Sequence, residues 1–156
     1  MFKLGKDKLG ITPLVNKDIE SELKKESKNL NSIGCFLLSH AYLEAYMKEL
    51  FIYSNEFLVL NQNEKELLFK DSIKNIDFKG LILYHLANKR INHGQYSKLK
   101  KINLFRNDIA HRLLENQIHS IEYKEIIKEK VILSLYYAKL FQEKYKEKLD
   151  EINKTI

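Results

Sequence analysis

Residues 104–115 read LFRNDIAHRLLE, and the fold turns on which faces of this stretch are apolar. The segment lacks glycine and proline, so it reads as part of a helix over residues 97–115. At 100° per residue, Phe105, Ile109 and Leu113 lie within about 60° of Ile102 and define a core face. Leu104, Asn107, His111 and Leu114 lie on the other side, at the spacing of a coiled-coil seam. A helix with two apolar stripes needs two partners. One is the core; the other is either another helix of the same chain or a second copy of the molecule.

The flanking sequence is also helical. From Asp18 to about Tyr53, Ile19, Leu23, Leu30, Ile33, Leu37, Ala41 and Phe51 share one arc, which predicts one long helix or two in line. Asn63 and Glu66 form a capping-box-like start for a helix ending near Asn75. DFKGLILYHLANK, from Asp77, predicts a short buried helix, ended by NHGQ at 92–95 acting as a breaker. From Ser120 to about Asn153, Tyr123, Ile127, Val131, Leu135, Ala138, Phe141, Tyr145, Leu149 and Ile152 form a stripe about 50 Å long. That exceeds what a compact domain of this size needs, so either the first helix or a second copy must cover its end. Strand alternation and internal repeats are missing, and residues 1–16 read as irregular. The expectation is a single all-α domain over 1–156, a bundle of four to five helices with long first and last helices.

Composition limits the remaining classes. The chain has 156 residues, 44% of them apolar, which suits one core. The lone cysteine, Cys35, cannot form an internal disulfide, which points to a reducing, cytoplasmic setting. Every window falls short of the roughly 18–20 apolar residues that span a bilayer, and the N-terminus lacks a secretory apolar core, so no membrane association is expected. The net charge is +6, and within residues 96–112 Lys98, Lys100, Lys101, Arg106 and Arg112 stand against Asp108 alone. Such a local field attracts phosphate, although it also suits a solvated face.

Arg106 falls inside the core arc of its helix, where a guanidinium must snorkel out or be paired. Glu44 sits amid the apolar stripe of the first helix, so a Glu44–Arg106 pair is expected, either as a structural pin or to orient the guanidinium for a phosphate. Arg106 and His111 lie about 140° apart. Arginine and histidine without a metal cluster suit RNA cleavage by internal transfer. The imidazole takes the proton from the ribose 2′-hydroxyl or protonates the leaving 5′-oxygen, and the guanidinium stabilises the charge on phosphorus. Arg112 and His119 have a similar spacing, but the helix end near Asn116 falls between them. His85 and His93 lack acidic or cysteine companions at ligand spacing, so no zinc is expected. Phosphate loops and activated nucleophiles are also missing, so no cofactor is expected. Tyr42 and Tyr46 flank the Glu44 face, where they either stack a base or pack the core. His40, one turn before Glu44, reads as a core-edge residue.

RNDIAHR, with asparagine directly after the arginine, resembles the R-x4-6-H motif of the HEPN superfamily of helical nucleotide-binding and ribonuclease domains. FLLSHAYLEAYMKELF, upstream, resembles the first-helix signature of several HEPN families. The resemblance implies a bundle of four or five helices and a homodimer that brings two motifs into one cleft. It also implies metal-independent endoribonuclease activity, as in many members. Arg106 and His111 match the catalytic positions, Asn107 the polar residue after the arginine, and Glu44 the acidic position of the first helix. Lys98, Lys100, Lys101, Arg112, Tyr42 and Tyr46 are the candidate RNA contacts. Many such proteins resemble toxins of toxin–antitoxin or abortive-infection systems in antiviral defence, encoded beside a nucleotidyltransferase-like partner. The alternative is a non-catalytic module that binds nucleotide, RNA or a partner protein.

Overall fold

The local sequence starts and stops each helix visibly at the second of four. Asp77, in extended backbone (φ −77, ψ 168), accepts a hydrogen bond at Oδ1 from the Gly80 N–H at 2.7 Å and so caps the next turn. At the other end Lys89 has a left-handed φ of 58. There the Lys89 N–H donates to Leu86 O and the Arg90 N–H to His85 O, the paired bonds of a Schellman ending. In this computed structural model the described residues are 21, 24, 25, 28, 32–54, 75–114 and 121–155. They carry α1 (Ser32–Ser54), α2 (Phe78–Ala87), α3 (His93–Leu114) and α4 (Ile121–Thr155), with no strand among them. The all-α bundle with long first and last helices is therefore observed, α1 having 23 residues and α4 35. The expected irregular segment at 1–16 and the expected helix from Asn63 to Asn75 lie outside the described residues.

Side-chain contacts give the helix directions. Phe78 meets His40, and His85 meets Met47 O, so α2 runs parallel to α1. Gln142 meets Tyr46, and Tyr145 meets Tyr53, so α4 is also parallel to α1. Phe105, late in α3, meets Phe36, early in α1, so α3 runs antiparallel to them. The core lies where all four helices meet, around Phe36, Leu43, Met47, Leu81, Leu99, Ile102 and Phe141, all fully buried.

Three expectations need correcting. The buried face of α1 is not the arc through Leu37, Ala41 and Glu44. Leu37 is 41% exposed and Ala41 is exposed, whereas Phe36, Leu43, Met47 and Leu50 are buried. Apolar residues surround α1, because it packs against α2, α3 and α4, and such a helix has no single hydrophobic face to read. Next, the N-terminal end of α4 meets α3, a neighbour not among the two expected: Tyr123 is buried against Phe105, with ring centroids 5.7 Å apart.

The third correction concerns NHGQ, which starts α3 at His93 rather than breaking α2. The Asn92 N–H donates to Gln95 Oε1 at 3.0 Å, and the Gln95 N–H donates to Asn92 Oδ1 at 2.8 Å. This is a reciprocal capping box. Asn92→Ala should therefore lower stability by about 1 kcal/mol in urea unfolding, while Asn92→Ser should retain most of it. Among the described residues no helix is long and apolar enough to cross a membrane.

Candidate functional site

The core face of α3 is as its periodicity predicts, with Leu99, Ile102 and Ile109 at most 1% exposed. The opposite face is open. Leu104 is 56% exposed, Asn107 and His111 are exposed, and among the described residues no helix covers them. His93 and Lys100, also exposed, extend this stripe toward the start of α3. Lys98 and Lys101 are exposed too, but lie about 100° or more around the helix from Lys100, so the basic patch divides between two faces.

Arg106 is exposed, having left the core arc for solvent, and among the described residues it forms no ion pair. The expected Glu44–Arg106 pair is not made. Glu44 is half-buried on the outer side of α1 and pairs with Lys48, one turn on, at 3.1 Å. Arg112 is not a free cation either. Its Nε donates to Asp108 Oδ2 at 2.7 Å, and its guanidinium lies 4.9 Å from the Tyr123 ring centroid. The Tyr123 hydroxyl donates to the same Asp108 oxygen at 3.4 Å; burial, then Asp108, push this phenol above its usual range.

Tyr42 and Tyr46 are 8% and 2% exposed, in the core rather than on a base-stacking surface. The Tyr42 hydroxyl lies 3.4 Å from that of Tyr46, which accepts from Gln142 Nε2 at 2.8 Å. Fully buried Glu49 and Tyr53 continue this polar ladder against Tyr145. Positions 42, 46, 49 and 53 have helix-face spacing, a signal that would have identified Glu49, not Glu44, as the buried carboxylate of α1. Desolvation, with Glu49 and the neighbouring tyrosines, drives the Tyr145 phenol far above its usual range, so it stays neutral and hydrogen-bonded.

His40 is the side chain closest to the candidate site that the sequence undervalued. It is 3% exposed and stacked on Phe78, with centroids 4.5 Å apart. Burial lowers its pKa to about 4, opposed by the Glu44 carboxylate, helped by the Arg106 cation and opposed by a hydrogen bond with Asn103. Glu44 and Arg106, although not paired with each other, thus both act on one buried imidazole between α1 and α3. Its Nε2 is buried without a hydrogen-bond partner.

Neutral His40 and Asn103 thus form a polar floor beside Arg106, while His111 stands round the helix on the open face. Among the described residues no group of three or more His, Cys, Asp or Glu side chains is arranged to hold a metal ion. Compared with family models, curated proteins and solved structures, the chain matches none of them.

Proposed function

We propose that the chain is a cytoplasmic, metal-independent endoribonuclease of HEPN type, acting as a homodimer on RNA. The observation that carries this reading is the state of α3. Arg106, Asn107 and His111 are all exposed, on a helix whose outer face no other described helix covers. His111 acts as the general base or acid at the ribose 2′-hydroxyl and the 5′-oxygen, Arg106 stabilises the pentavalent phosphorus, and Asn107 orients the phosphate. Because Arg106 and His111 lie about 140° apart on one helix, a complete set of groups is assembled best where two copies of α3 meet. Lys98, Lys100 and Lys101 add attraction for the RNA backbone. The fit with a toxin of a defence system, restrained by a nucleotidyltransferase-like antitoxin, rests on the motif resemblance. Incubation with single-stranded RNA in EDTA tests the reading: products ending in 2′,3′-cyclic phosphate are expected, and intact RNA refutes it.

A non-catalytic RNA- or nucleotide-binding module is the second reading, and the separation of Arg106 from His111 within one protomer favours it if the chain is a monomer. Oligomeric state therefore decides between them. Leu104→Glu should turn a light-scattering dimer into a monomer and abolish cleavage, while changing the folding stability of the protomer by less than about 0.5 kcal/mol, because Leu104 is already exposed. A wild-type protein that is monomeric at micromolar concentration removes the shared cleft.

A further inference from the structure

The turn between α2 and α3 borders an open depression of about 430 Å³ lined by residues that include Leu86, Lys89, Arg90, Ile91, Asn92 and His93. Its lining is basic, with no carboxylate. Lys89 and His93 are exposed, and among the described residues neither they nor Arg90 makes an ion pair. The Arg90 guanidinium is held 5.5 Å from the Tyr84 ring centroid, and that ring packs edge-on against Phe51 at 4.3 Å. Arg90 Nη1 is buried with no hydrogen-bond partner, an incomplete state for a guanidinium, which has five donors. Lys89 occupies a left-handed position where glycine costs least, so the chain accepts local backbone strain there and places a cation at the wall of the depression.

We infer that this depression is a phosphate-binding subsite at the rim of the cleft between two α3 helices, receiving the backbone of a single-stranded RNA where it leaves that cleft. The inference rests on the ribonuclease reading for the identity of the ligand. A polyanion is favoured over a single small anion because His93, at the depression, lies on the same side of α3 as Lys100, Asn107 and His111, all exposed. From His93 to His111 is roughly 27 Å along the helix, a line that a repeating phosphate backbone can follow and an isolated anion cannot. The substrate is thereby anchored at one end of α3 and cut toward the other.

The test uses the full chain and 2′-O-methyl RNA, whose blocked hydroxyl prevents cleavage, at lengths of about 4 and about 12 nucleotides. In the double variant Lys89→Gln/Arg90→Gln, affinity for the longer strand should fall about tenfold. Its log–log salt slope should shrink by about 0.7 for each cation removed, and the shorter strand should bind as before. Lys89→Gln alone, at an exposed residue, should give about half of the slope change, and circular dichroism should show both variants folded. Unchanged affinity for the longer strand, or equal weakening at both lengths, overturns the subsite. So does a turn whose His93 resonances shift with inorganic phosphate while the longer strand ignores the substitutions, because it then holds free anion only. Failure of the function is read separately. Binding through the turn without cleavage of unmodified RNA refutes the nuclease and leaves the subsite, whereas cleavage indifferent to Lys89 and Arg90 refutes the subsite alone.

Discussion

His111→Ala is expected to slow RNA cleavage in EDTA by about 10²- to 10⁴-fold, the usual contribution of a positioned general acid or base. Arg106→Ala should cost about 10²- to 10³-fold by removing a donor to the charged phosphorus oxygens. Both side chains are exposed and make no ion pair among the described residues, so neither substitution should change stability by more than about 0.5 kcal/mol. A loss of cleavage with an unchanged urea midpoint therefore reports chemistry rather than unfolding. Mixing the two inactive variants adds a geometric test. If Arg106 of one protomer works with His111 of the other, random exchange gives mixed dimers with one intact site, and activity returns to about a quarter of wild type. Such restoration is expected from the separation of the two residues around α3. Single variants that both retain full activity, or a wild type that leaves RNA intact, would end the catalytic reading.

Legibility in the sequence followed the contrast between helix faces. In α3, buried Leu99, Ile102 and Ile109 alternate with exposed lysines, Asn107 and His111, so periodicity located the core face, whereas the exposure of the second stripe among the described residues is a property of the packed structure. In α1, leucines and alanines surround the helix, and an arc centred near Leu37 looked as good as the true one around Leu43. A rotational error of about 120° then put Glu44 in the core and supplied it with a partner, Arg106, that it does not have. Its real neighbour, Lys48, is the ordinary i, i+4 pair of a surface. NHGQ failed for a different reason: asparagine and glycine break helices, but asparagine followed by glutamine three residues on also begins one, and only the reciprocal bonds distinguish the two. The parallel run of α1 and α2 is a long-range property that no local pattern encodes, and so is the meeting of Glu44, Asn103 and Arg106 around His40.

The same packing makes the protein acid-sensitive. His40 and His85 are 3% and 0% exposed, and burial is the main reason that each has a pKa near 4 in the folded chain, against about 6.5 when unfolded. Smaller influences act on His85: its hydrogen bond with Met47 O opposes the shift, and Arg90 and Lys144 add to it. Between these pH values the unfolded chain binds protons that the folded chain does not. The stability due to neutral burial is therefore complete above about pH 6.5, and falls by up to about 1.4 kcal/mol per pH unit for each histidine as pH drops. The loss levels off near pH 4, where the folded form also takes up the protons, at roughly 3 kcal/mol per histidine. Two such losses approach the whole stability of a typical domain, so urea unfolding at pH 4.5 should show a protein close to its midpoint without denaturant. His85→Gln keeps a donor for Met47 O and removes one titration, and it should recover about half of the difference between pH 7 and pH 4.5. A wild-type stability that is flat across this range would mean that the imidazoles are not held in the core. Protonating His40 also has a local consequence, because it places a second cation beside Arg106 at the α1–α3 contact. Because folded His40 takes up its proton only near pH 4, below the pH at which the chain nears its midpoint, the acid limb of cleavage should follow unfolding, and His40→Asn and His85→Gln should each move that limb to lower pH.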